Sequence, residues 1–159
     1  MKRLVRSLAA GACAIALLAG CGREASTPSQ HDPNAARSEE TVRAGDISVR
    51  ASAIQTRLLT PAIAQRYGAA HDERTVLVVV SLRKGDDATA VSLPAKVTVE
   101  AGDLLGRKQT VAMREMRDGE LLDYVGVVTM SPPDTLRFDV VVVREDGTRH
   151  ELRFNRDFF

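Results

Sequence analysis

From Asp46 onward, apolar and polar positions alternate. Ile47, Val49, Ala51 and Ala53 are separated by Ser48, Arg50 and Ser52. A period of two predicts a half-buried β-strand. Val97, Val99 and Ala101 alternate with Lys96, Thr98 and Glu100 in the same way. Residues 75–82 (TVLVVVSL) and 139–143 (DVVVV) are apolar on both phases. Such runs predict strands covered on both faces, because left exposed they aggregate. QTVAMREM (109–116) and LLDYVGVVTM (121–130) flank Arg117-Asp118-Gly119-Glu120, and LRFDVVVVR and RHELRFNRDF flank Glu145-Asp146-Gly147-Thr148. An Asp-Gly pair between strand-like runs supplies the positive φ of a tight hairpin turn. Lys84-Gly85-Asp86-Asp87 and Ser131-Pro132-Pro133-Asp134 are further breaks. About seven strands at regular spacing predict an all-β fold. The expected form is a small antiparallel β-sandwich, immunoglobulin-like, with one short helix. A barrel is the alternative.

The helix is the segment LLTPAIAQRYG (58–68). Thr60 fits an N-cap, Pro61 the first helical position and Gly68 a C-terminal stop. Two turns are expected, with Ile63 and Tyr67, four apart, on one face.

Before Asp46 the pattern is absent. Residues 22–45 (GREASTPSQHDPNAARSEETVRAG) hold no aromatic and one branched apolar residue, Val42. That composition predicts a flexible tether over 21–45, with an r.m.s. reach of roughly 25–30 Å. His31 falls in it and reads as solvated. Residues 1–20 read as a secretory signal: Lys2, Arg3 and Arg6 lead into the apolar run Leu8–Leu18. The uncharged stretch between Arg6 and Arg23 is 16 residues, short of the ~20 a spanning helix needs. Leu18-Ala19-Gly20-Cys21 resembles the bacterial lipobox. That resemblance implies cleavage between Gly20 and Cys21, with acyl chains on Cys21 as the lipid attachment. Two or three acyl chains hold a domain stably on a bilayer. Gly22, where an Asp would favour inner-membrane retention, implies the outer membrane, periplasmic face. The expected organisation is 1–20 signal peptide, 21–45 lipidated tether and 46–159 β-sandwich domain.

Processing changes the composition. Cleavage leaves 139 residues, enough for one domain. The signal carries Lys2, Arg3 and Arg6 and no acid, so 19 basic side chains then face 21 acidic ones. No basic stripe suggests nucleic acid. Cys13 leaves with the signal and Cys21 carries lipid, so the domain has no disulfide, no thiol nucleophile and no thiolate metal site. With no Trp and few aromatics, its core must be mainly Val and Leu.

The inventory of reactive groups is short. His71-Asp72-Glu73 is a local cluster, yet one histidine beside two carboxylates does not give three converging metal ligands. It reads as a solvated loop, and neither a metal nor a cofactor is expected. His150 shares the apolar phase of the last strand with Leu152 and Phe154, and reads as a hydrogen-bonded histidine at the core edge rather than a general base. Ser81 sits in a strand and no G-x-S-x-G occurs. Phosphate-binding glycine patterns are missing too, and the Asp86-Asp87 pair reads as a solvated turn. Phe158 continues the core phase and should plug one end of the sandwich. The alternation Asp157, Asn155, Arg153 is polar and does not fit the last strand of an outer-membrane barrel. Arg149, Glu151, Arg153, Asn155 and Asp157 predict a mixed-charge solvated face with cross-strand pairs. Tyr67, His71 and an exposed Phe159 are the candidate partner contacts.

LLTPAIAQRYG, LVVVSLRKGDD, LLGRKQTVAMREMRDGE, DTLRFDVVV and ELRFNRDFF together resemble an uncharacterised bacterial envelope family, domain of unknown function 4426. The resemblance spans about 48–159. It implies the domain limits and an envelope location, and it brings no reaction or catalytic residues. Members often carry plain secretory signals, so the lipobox is a reading of this chain alone. The expected function is a non-enzymatic binding or scaffold module in envelope assembly or maintenance. It would be held to the membrane through Cys21 and would contact an envelope protein. A lipid or small-ligand carrier, with a pocket between the sheets or under the helix, is the alternative. A hydrolase depending on His71 or His150 is the third reading.

Overall fold

Two antiparallel sheets face each other in the computed structural model, which describes residues 39–86 and 88–159. The signal, Gly20, Cys21, His31, Asp87 and most of the expected tether lie outside these residues. The first sheet has the order β1 (Glu40–Ala44), β2 (Ile47–Gln55), β3 (Thr75–Lys84), β8 (Leu121–Thr129), β7 (Arg114–Asp118), with β4 (Val91–Ser92) paired to β3. The second has the order β10 (Arg149–Phe158), β9 (Asp134–Arg144), β5 (Ala95–Gly102), β6 (Lys108–Val111). The fold is the expected all-β sandwich. Among the described residues, no helix is long and apolar enough to cross a membrane.

Alternation sorts the side chains. In β10 every second residue from His150 to Phe158 is buried and the rest are exposed. Val78, Val80 and Leu82 of β3 meet Phe138, Val140 and Leu152 of the second sheet in one core. Phe138 and Phe154 stack with ring centroids 5.1 Å apart. Fully burying each such Val, Leu or Phe is worth about 1.5–3 kcal/mol, so this core can hold a domain that has no cross-link. Phe158 is buried, as its phase predicts.

The expected helix forms as α1 (Pro61–Arg66), with the Thr60 hydroxyl accepting from the Ile63 N–H at 3.3 Å. Its place explains the two-phase apolar run of β3; in β9, contrary to expectation, Val141 and Val143 are only half-buried, beside exposed Glu151 and Arg149 on the outer face of the second sheet. Leu77 and Val125 point away from the main core yet are only 2% and 1% exposed, and Ala64 of α1 is fully buried. Arg66 pairs with Asp118 at 2.5 Å, and Arg114 donates to the Tyr67 carbonyl at 2.7 Å. Arg114 and Asp118 share the outer phase of Val125. The segment therefore lies over the outer face of the first sheet. It buries Ala64 there, while Ile63 is 42% exposed and Tyr67 half-buried.

Three elements depart from expectation. Glu40–Ala44 was expected in the tether and is a strand, so the domain begins about six residues before Asp46. One apolar residue suffices at an edge strand: Val42 pairs with Val49 and packs on the core, while backbone pairing to β2 does the rest. β4 is a two-residue strand shortly after the expected break at 84–87, where no strand was read. The run 109–116 is not one strand. Val111 of β6 pairs with Val99 in the second sheet, whereas Arg114 of β7 pairs with Val125 in the first. Ala112 and Met113 carry the chain across, as strands do at sandwich corners.

Candidate functional site

Strand direction gathers four chain segments at one end of the sandwich. Gln55 pairs with Val76, Thr75 with Thr129, Gly102 with Arg137 and Phe158 with Asp134. The connections 56–74, 103–107 and 130–133 and the C-terminal residue therefore share this end. The Arg57 guanidinium donates to the Phe159 carbonyl at 2.6 Å, tying the first sheet to the last strand of the second. Buried Thr56 holds the excursion from inside: its hydroxyl bonds the carbonyls of Asp72 and Thr75 at 3.0 and 3.2 Å.

The 103–107 turn is built around Asp103. Its Oδ1 accepts the N–H groups of Leu105 and Arg107 at 2.9 Å, and its Oδ2 accepts the Arg107 Nε–H at 2.6 Å. Gly106 takes φ +79° to close the turn, a conformation that L side chains rarely adopt. Partial burial disfavours the Asp103 carboxylate, but the Arg107 side chain and the two backbone donors outweigh this and leave its pKa below the usual carboxylate range. The result is a fixed turn that projects Leu104 and Leu105. They are 76% and 79% exposed, the highest values for large apolar side chains among the described residues.

Beside this turn lies an open cleft of about 270 Å³. Arg74, Arg107, Lys108, Asp103 and Asp134 give it a charged wall, and the core residues Met130 and Leu136 also line it. Gln109 donates to the Thr129 carbonyl at 3.0 Å across the two sheets. Lys108 pairs with Glu100 at 2.5 Å. Thr129 and Ser131 supply hydroxyls, but no histidine or cysteine lines the cleft. Nothing in it couples a nucleophile to a base. It can hold polar or charged groups against paired side chains.

The sequence-predicted contacts do not converge. Phe159 is 63% exposed at this end. His71 is exposed, with Nε2 3.0 Å from the Leu59 carbonyl, so the 56–59 turn links His71 to Phe159 through Arg57. Tyr67 is half-buried on α1, over the sheet face instead. His150 is buried on the expected phase, but its Nε2 has no hydrogen-bond partner among the described residues, contrary to expectation. His71 and His150 leave from opposite ends of their sheets and form no pair. Among the described residues no three His, Cys, Asp or Glu side chains cluster in a way that would hold a metal. The charged ladder of β10 forms as predicted. Arg149 pairs with Glu151 at 2.6 Å, Arg153 pairs with Asp139, and Thr135 donates to Asp157 at 2.7 Å. Phe138, Phe154 and Phe158 are buried in the core between the sheets, and Leu77 and Val125 are buried on the outer face of the first sheet, as is Ala64 of α1.

The Leu104–Leu105 turn and the cleft were not singled out from sequence. A signal was present: two adjacent leucines bracketed by Asp103 and Gly106, between two strand patterns.

A family model described as "Domain of unknown function (DUF4426)" matches residues 41–159. Among solved structures, a DUF4426 family protein from Pseudomonas aeruginosa PAO1 is 22% identical, with TM-score 0.62, covering 77% of this chain and 96% of that one. FetP from uropathogenic Escherichia coli strain F11 is similar in fold in two structures. A copper-bound variant is 10% identical with TM-score 0.54, covering 75% of this chain and 93% of its own. The as-isolated protein, expressed in the periplasm, is 12% identical with TM-score 0.53, covering 75% and 92%. No curated protein matches the chain.

Proposed function

The chain belongs to the DUF4426 family, and we propose that it is a periplasm-facing, lipid-anchored binding module of the cell envelope, working by surface contact rather than catalysis. The observation that carries this reading is the make-up of one end of the sandwich. Leu104 and Leu105 are exposed there on a turn locked by Asp103, beside a charged cleft, and Phe159 is exposed at the same end. Exposed apolar groups rimmed by polar ones mark interaction sites. The sequence supplies the anchor, through the lipobox ending at Cys21. FetP, expressed in the periplasm, agrees with a periplasmic address. The copper of the FetP variant is not carried over, because the described residues assemble no matching ligand cluster.

The test compares tagged wild-type protein with Cys21→Ala after in-cell crosslinking, followed by mass spectrometry of washed envelopes. Wild-type protein should carry acyl chains on Cys21 and one saturable crosslinked species, and Cys21→Ala should lose both. Acylation of the variant, or none on the wild type, overturns the anchor. Intact anchored protein with no saturable species overturns the binding module.

A further inference from the structure

We propose that the Leu104–Leu105 turn, together with Phe159, docks on the lipid leaflet that holds the acyl chains of Cys21. This inference rests on the anchored reading above and names what the cleft end meets.

Three independent observations point the same way. The first is where the chain enters. β1 is antiparallel to β2, and β2 ends at the cleft end, so the chain enters β1 from that side. Eighteen residues separate Cys21 from Glu40. The residue of β1 nearest Cys21 in sequence, Glu40, pairs with Ala51 midway along β2, on the cleft side of Ala44.

The second is the chemistry of the turn. Two adjacent leucines form its tip, and Arg107 and Lys108 follow directly in the chain, paired with Asp103 and Glu100 but with side chains 75% and 64% exposed. Apolar residues that enter the acyl boundary, with cations at headgroup level, are the pattern of interfacial binding. Phe159 adds an exposed aromatic at the same end. Asp103, Asp134 and Asp157 are turned to internal partners: Asp103 to Arg107, Asp134 to the Thr135 N–H, and Asp157 to the Thr135 hydroxyl.

The third is rigidity. Three bonds to the Asp103 carboxylate fix the turn, so its tip is held in one presentation before contact. Ordering cost is thereby lowered.

The chain contains no tryptophan, so a single one reports its own surroundings. Full-length Leu105→Trp is compared with Leu121→Trp, whose leucine is exposed on the β7–β8 turn at the opposite end. Each protein is placed in phosphatidylethanolamine–phosphatidylglycerol vesicles containing lipids brominated near the headgroup end of the acyl chain. Cys21 acylation is read separately by mass. The expected result is a blue shift and strong bromine quenching for Leu105→Trp, several-fold that of Leu121→Trp, and abolished by adding Leu104→Asp. Equal quenching at both positions, or none at 105 in acylated protein, overturns the proposal. If Cys21 carries no lipid, the anchor fails by itself. Quenching confined to 105 when vesicles are added to that chain then retains the docking surface, and its absence overturns it.

Discussion

Gly126 and Val111 come from different sheets and nearly touch. A Cβ on Gly126 would lie 2.6 Å from Val111 Cγ1, 2.7 Å from Met113 Sδ and 3.0 Å from the Ala112 carbonyl. The segment that switches sheets thus passes directly over β8 at its glycine. Close approach of two backbones is what removes the side chain there.

Gly126→Ala should therefore lower stability by about 1–3 kcal/mol, the usual cost of forcing an extra carbon into a packed core. Urea unfolding would show it as a lower midpoint. Met113→Ala in the same chain should recover part of the loss, since Sδ can be removed while Ala112 O stays. An unchanged midpoint for the single variant would mean that the crossing segment can simply lift away.

Tyr124 bridges the sheets in another way. Its ring is buried in β8, and its hydroxyl accepts the N–H of Ala95, at the start of β5, at 2.7 Å. Tyr124→Phe keeps the ring and leaves that N–H without its acceptor. The expected loss is about 0.5–1.5 kcal/mol, with faster hydrogen exchange at Ala95. Unaltered exchange there would show that the bond holds nothing.

The β9–β10 face should respond to acid. The hydrogen bond from Arg153, followed by those from Arg137, holds the Asp139 carboxyl below its ordinary value of 3.8. A depressed folded-state pKa adds stability that is present above the unfolded value and lost as pH falls through the folded one. The window therefore lies below about pH 4. For an exposed pair the contribution is small, about 0–1 kcal/mol. Arg153→Gln should flatten the fall in melting temperature below pH 4 and leave neutral stability nearly unchanged. A variant with the same acid limb as the wild type would contradict this pairing.

The sequence by itself determined the class of fold. Alternation in β2, β5 and β10 has a period that only a half-buried strand satisfies, and the Asp-Gly turns fixed two hairpins: Gly119 and Gly147 both take positive φ. Thr60 and Pro61 marked α1 because capping is a local interaction. What lay beyond it were decisions made by partners far along the chain. Glu40–Ala44 is a strand because β2 offers it an edge, not because its own residues demand one. The run 109–116 divides because β5 and β8 compete for it across the core. Leu77 and Val125 announced a covered face, but the sequence did not say that Ala64 would cover it. The cleft end shows the same limit most sharply. Asp103–Arg107, the 56–74 excursion and Phe159 are distant in sequence, and each reads locally as a turn or a terminus. Their meeting depends on the direction in which four strands run, which pairing register sets and no local pattern records.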